Sequence, residues 1–227
     1  NFASSFKGES ACVNANAVSA VAAALNNTVQ DDPHARFIYT QACTALRRMT
    51  CSAGGKAACI VVAVQAALVT VLKATTDDTV REHACCALRN IAVTADGKAA
   101  CVTAFAPAAL VTCLNATIDD KVRENACRAL GNIAWSADGQ TACVAASAPA
   151  ALVTVLNATT DDTVQKQACR GLGIITASAD GLAACVYAFA PAALVSCLKA
   201  TTDDTVRQHA CCALRNIAIS ADRWRSC

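Results

Sequence analysis

Apolar positions along this chain recur on two nested periods. Within a segment such as 80–93, Val80, Ala84, Leu88 and Ile91 fall at helical spacing and make one apolar stripe. Between segments the whole pattern returns every 42 residues. The phrase Asp96-Gly97-Lys98-Ala99-Ala100-Cys101-Val102 reappears as Asp138-Gly139-Gln140-Thr141-Ala142-Cys143-Val144, and again as Asp180-Gly181-Leu182-Ala183-Ala184-Cys185-Val186. Asp pairs at 77/78, 119/120, 161/162 and 203/204 keep the same register. A fixed period of this length indicates stacked supersecondary units, each burying its apolar face against the next.

Each unit parses into three predicted helices. The first, such as 98–105, is expected to begin after the Asp-Gly pair. Pro107, Pro149 and Pro191 end it and suit the opening turn of a second helix, such as 108–114, where a missing N–H costs little. An Ala/Thr-rich loop follows, and Asp-Asp-Thr supplies the N-cap of a third helix, such as 80–93. The repeats run approximately over 8–54, 55–96, 97–138, 139–180 and 181–222, with partial ends at 1–7 and 223–227. The first is longer by about five residues, inserted between Leu25 and Cys43.

These phrases resemble the armadillo-repeat family. Ala-Pro-Ala-Ala-Leu-Val-Thr-Cys-Leu (106–114) is similar to that family's second helix, and Ala-Cys-Cys-Ala-Leu-Arg-Asn-Ile-Ala (84–92) to its third. The resemblance covers nearly the whole chain and implies an all-α, right-handed superhelical solenoid of about five three-helix repeats. It also implies a groove lined by third helices, where family members of the nuclear-import and catenin type hold extended peptides with an asparagine ladder beside tryptophans. Asn90, Asn132 and Asn216 match the ladder position, while Arg48 and Ile174 interrupt it. The tryptophan position holds Thr44, Cys86, Arg128, Arg170 and Cys212, so the aromatic half of that grip is absent. Arg47, Arg48, Arg89, Arg128, Arg170 and Arg215 would instead make the groove basic, suited to an acidic peptide or an anionic glycan.

Composition narrows the function. The chain is 55% apolar but only 4% aromatic, as closely approaching small-residue helices require, and its formal charge of +2 gives no general case for nucleic acid. The longest apolar run, 57–72, is shorter than the roughly 18–20 residues of a membrane span. His34, His83 and His209 are separate in sequence, the Asp pairs lack the oxygen-rich loop of a calcium site, and no phosphate-binding glycine loop is visible. The expectation is a binding or assembly protein without catalytic residues, metal or cofactor.

Sixteen cysteines are present. Five pairs, Cys43/Cys59, Cys85/Cys101, Cys127/Cys143, Cys169/Cys185 and Cys211/Cys227, are each 16 positions apart. On the armadillo resemblance each would join a third helix to the following first helix, as a disulfide or as two buried thiols. Cys12, Cys51, Cys86, Cys113, Cys197 and Cys212 have no partner assignable from sequence. Asn26, Asn115 and Asn157 open Asn-x-Thr sequons at one repeat position, the loop between second and third helices. Lys73 and Lys199 fill that slot elsewhere, so a helix-terminal role competes with glycosylation. Disulfides and sequons together suggest a secreted, extracellular chain.

The last third helix, 208–219, nearly copies the internal 82–93 and is not recoded as a polar cap. The chain then ends where another first helix is expected to start, and it opens within the tail of a third helix. Phe2, Phe6 and Val13 at the leading end and Trp224 at the trailing end are the expected assembly residues. Uncapped ends of matching shape suggest head-to-tail stacking with further copies of the chain into a filament or coat. A peptide- or glycan-binding scaffold is the competing expectation.

Overall fold

The computed structural model describes residues 16–28 and 34–225, the last six by backbone only. Phe2, Phe6, Cys12, Val13, Cys227 and the side chain of Trp224 lie outside the described part. Among the described residues every regular element is a helix. In chain order these are α1 (Ala17–Asn27), α2 (Ala35–Met49), α3 (Ala53–Val61), α4 (Val64–Ala74), α5 (Asp78–Ile91), α6 (Ala95–Thr103) and α7 (Ala106–Asn115). They continue with α8 (Asp120–Ile133), α9 (Ala137–Ala145), α10 (Ala148–Ala158), α11 (Asp162–Ile175), α12 (Ala179–Tyr187), α13 (Ala190–Ala200) and α14 (Asp204–Arg225). No single helix among the described residues is long and apolar enough to cross a membrane.

The first helices start earlier than the Asp-Gly pair suggests. Ser52, Thr94, Ser136 and Ser178 are the N-caps, each accepting the N–H of the glycine three residues on at 3.0–3.1 Å. Asp96-Gly97 and its copies are therefore the first turn of a helix. Glycine is needed there for room: a Cβ on Gly97, Gly139 or Gly181 would lie 1.9 Å from the carbonyl oxygen of Ile91, Ile133 or Ile175.

First and second helices meet at a bend of 68–80°. One residue turns the chain at each bend in the left-handed region: Ala63, Phe105, Ser147 and Phe189, with φ of 53–60°. Pro107, Pro149 and Pro191 then occupy the first turn of the second helix, as expected.

The Asp pairs divide two tasks. The first member caps the third helix: Asp77, Asp119, Asp161 and Asp203 accept from the N–H of Val80, Val122, Val164 and Val206. The second member ties repeats together. Asp78, Asp120 and Asp162 accept from the hydroxyls of Thr117, Thr159 and Thr201 in the following repeat, at 3.0, 3.2 and 3.4 Å. Arg81 strengthens the first clasp, donating to Asp78 at 3.0 Å and to the Ala116 carbonyl at 3.2 Å.

Third helices start at Asp78, Asp120, Asp162 and Asp204, one every 42 residues, and each packs on the next. Val80, Ala84, Leu88 and Ile91 are fully buried, so the apolar stripe faces the core as its spacing predicts. The buried residues of all repeats form one continuous core.

The trailing end departs from expectation. No new first helix begins at 222; α14 runs unbroken from Asp204 to Arg225. The sequence supplies the reason, because Arg223 stands where Gly97, Gly139 and Gly181 stand in the other repeats. A side chain at that position would collide with the carbonyl of the preceding helix, so the tight cap cannot form and the helix continues.

Candidate functional site

The third helices α5, α8, α11 and α14 present three rows of side chains on one surface. One row is Cys86, Arg128, Arg170 and Cys212; the second is Arg89, Gly131, Gly173 and Arg215; the third is Asn90, Asn132, Ile174 and Asn216. The asparagines are engaged within the chain. Asn132 Nδ2 donates to the Arg89 carbonyl at 3.1 Å, Asn216 Nδ2 to the Gly173 carbonyl at 3.0 Å, and Asn90 Nδ2 to Thr50 Oγ1 at 3.2 Å. Their Oδ1 atoms accept from arginine: Asn90 from Arg89, Asn132 from Arg170 and Asn216 from Arg215, at 3.2–3.3 Å. The amides thus stitch neighbouring third helices, and the outward groups are guanidinium.

Gly131 makes one of these contacts possible. A Cβ there would come 3.3 Å from Arg170 Nη1, so the bare backbone leaves space for Arg170 to reach across to Asn132. Arg89 is also held from the side, donating to Asn125 Oδ1 at 2.8 Å.

The comparisons with known proteins bear on this surface. A HEAT-repeat family model matches residues 107–215, and an armadillo/beta-catenin-like repeat model matches residues 59–93. An engineered protein solved by the Northeast Structural Genomics Consortium is 30% identical, with 93% of this chain and 83% of that one aligned at a TM-score of 0.82. The chain has the armadillo-repeat solenoid fold. A designed armadillo repeat protein in complex with the peptide (KR)4 is 21% identical, with 93% of this chain and 86% of that one covered at TM-score 0.80. Computationally designed armadillo repeat proteins for modular peptide recognition align at 22% identity over 92% and 86%, with TM-score 0.81. No curated protein sequence matches the chain.

On this surface the arginines stand without a carboxylate in ion-pair contact. Among the described residues, carboxylates lie within 4.0 Å of Arg36, Arg81, Arg123 and Arg207, and of none of Arg47, Arg48, Arg89, Arg128, Arg170 or Arg215. Burial and the neighbouring Arg128 hold the Arg170 pKa below its ordinary value. His83 is lowered by burial and by Arg47, with Glu82 opposing; His209 is lowered by burial, Arg170 and Lys166.

A hollow of about 370 Å³ opens between α11 and α14. Ile174, Gly173 and Ala177 line it with the His209 ring, Arg170 and Arg215 contribute charge, and Trp135 forms part of its wall with 63% of its surface exposed. Sequence reading missed Trp135. The available signal was a single tryptophan at the place held by Val93, Ala177 and Ile219 in the other repeats.

Cys43, Cys59, Cys85, Cys101, Cys127, Cys143, Cys169, Cys185 and Cys211 all stand as free thiols. Cys143 Sγ lies 3.8 Å from the Leu130 carbonyl, and Cys185 Sγ 4.0 Å from that of Leu172. Each first-helix thiol thus meets its neighbour's backbone about one turn beyond Cys127 or Cys169. Burial pushes Cys43, Cys59, Cys101, Cys127, Cys143 and Cys185 up to about 12.

The sequon asparagines Asn26, Asn115 and Asn157 are exposed near the ends of α1, α7 and α10. Thr117 and Thr159 of the latter two are buried in the Asp–Thr clasps. Thr201, which has no sequon asparagine before it, makes the same clasp, so the threonine has a structural role in either case.

Proposed function

We propose that this chain is an armadillo scaffold holding an extended acidic segment of a partner protein along its third helices. The observation that carries this reading is the run of groove arginines without carboxylate partners, of which Arg48, Arg128 and Arg215 are exposed. Carboxylates of an extended peptide could engage such guanidinium groups directly. A basic ligand such as (KR)4, which one designed armadillo protein takes, would meet like charge here. The Trp135 hollow supplies an apolar anchor point within the same surface. The test is fluorescence polarisation with a labelled Asp/Glu-rich octapeptide against the chain and its Arg128→Glu/Arg170→Glu variant. Binding weakened at least about tenfold by the reversal is expected; equal binding by both proteins overturns the reading.

A second reading, end-to-end assembly, is favoured by the outer side of α12. Val186 and Tyr187 are 50% and 88% exposed there, around a hollow of about 570 Å³ that Leu182 also lines. In inner repeats the place of Val186 is partly covered, at Ile60, Val102 and Val144, where the next first helix packs alongside, while the place of Tyr187 is exposed throughout. We read this face as a seat for the leading repeat of another copy, with glycans on Asn26, Asn115 and Asn157 in a secreted form. Light scattering that shows concentration-dependent growth, lost in Val186→Asp, is expected. For the glycans, the expected result is a mass loss on amidase treatment after expression through a secretory pathway, absent in Asn115→Gln/Asn157→Gln/Asn26→Gln.

A further inference from the structure

The cysteines without a sequence partner acquire one in the structure. Cys85 on α5 and Cys113 on α7 bring their sulfurs to 3.9 Å inside the core, where the two thiols contact each other. One third helix is thereby faced by the second helix of the following repeat. Two repeats further on, Cys169 on α11 and Cys197 on α13 occupy the equivalent positions, two 42-residue periods along. All four are buried. At the alternate seams the second-helix cysteine is replaced: Cys43 has Val71 opposite, and Cys127 has Val155. The thiol pairs thus occupy every second repeat junction, with valine as the built-in alternative of similar shape.

We propose that Cys85–Cys113 and Cys169–Cys197 are two inter-repeat disulfide sites, closed by exchange with a small-molecule disulfide while the chain folds. A sulfur–sulfur bond needs about 2.0 Å, so the thiols must approach further, along a line on which they already touch. The Cys113 thiolate attacks one sulfur of the oxidant, for example oxidised glutathione, giving a mixed disulfide and releasing one glutathione thiolate, which takes a proton. Deprotonated Cys85 then attacks Cys113 Sγ and expels the second thiolate. Two protein thiols are oxidised to one disulfide, and the oxidant is reduced to two thiols. Because both sulfurs are sealed in the finished core, exchange occurs while the seam between α5 and α7 is open, and the closed bridge is shielded from reductant afterwards.

Refolding of the reduced chain in a glutathione redox buffer, followed by alkylation, proteolysis and mass spectrometry, tests this. Peptides linking Cys85 to Cys113 and Cys169 to Cys197 are expected, each lighter by two hydrogens, with Cys43 and Cys127 alkylated. The bridged protein should melt about 5–10 °C above the reduced one. Cys113→Val, which copies Val71 and Val155, should lose the first bridge and keep the second. Alkylation of natively purified chain under denaturing conditions, mapped in the same way, covers the case in which refolding fails. Bridges joining Cys85 to Cys101 or Cys169 to Cys185 overturn the proposal, as does a folded chain with all four thiols alkylated.

Discussion

The hydroxyl of Thr117 and the carboxylate of Asp78 show how single side chains hold this stack together: from the second repeat on, each repeat is tied to the next by the same hydrogen bond. Buried thiols are the other recurring residue-scale device, and their reactivity follows from burial. The thiolate is the nucleophile, and thiols pushed up to about 12 hold almost none at pH 8. Iodoacetamide on the reduced native chain should therefore label Cys51 and Cys211, which are exposed, and spare Cys101, Cys127 and Cys143; peptide mass spectrometry reads the outcome. Gln65 offers a stabilising change. It sits where other repeats carry proline and is 1% exposed, with its Nε2 lacking a hydrogen-bond partner. Gln65→Pro removes a buried orphan amide and restricts the unfolded chain, so a gain of about 0.5–1 kcal/mol is expected in urea unfolding.

At the scale of the element, glycine and its absence decide where helices stop. Gly139 passes under the Ile133 carbonyl at a distance no Cβ could occupy, and Gly139→Ala should cost about 1–3 kcal/mol through a forced shift of the α8–α9 cap. Urea unfolding of the variant checks this; Gly54→Ala, with nothing within 4 Å of the added methyl, is the control. Much of the element structure was legible in the sequence, because a buried stripe such as Val80, Ala84, Leu88 and Ile91 imposes a helical period and the prolines mark the bends. The continuation of α14 was not anticipated, because the copied third-helix phrase led to the expectation of a new first helix, against Arg223 in a glycine position. What was not legible depends on how repeats rotate against each other. Sequence spacing put Cys85 beside Cys101, whereas the stacking puts it beside Cys113 on a second helix. Likewise, Asn132 matched a ligand-binding position, but only the approach of α5 and α11 reveals that its amide is engaged on both sides.

For the molecule as a whole, nearest-neighbour stacking leaves one continuous surface of third helices, and its charge responds to pH. His83 and His209 titrate below their ordinary value in the folded state. The unfolded chain therefore binds more protons, so stability is complete above about pH 6.5 and is lost as pH falls through the lowered folded value. Thermal melts between pH 7.5 and 5.5 should show this decline, and His209→Gln should reduce it. An acidic ligand has the opposite effect, since its carboxylates favour the charged rings; complex formation should thus soften the acid loss.

The most direct measurement is a calorimetric titration of the chain with an alternating Asp/Glu octapeptide and, in parallel, with (KR)4, at low and at high salt. Binding of the acidic peptide alone, weakening as salt screens the exposed guanidinium groups, is the predicted result. Preference for (KR)4, or acidic-peptide binding indifferent to salt, would contradict the account.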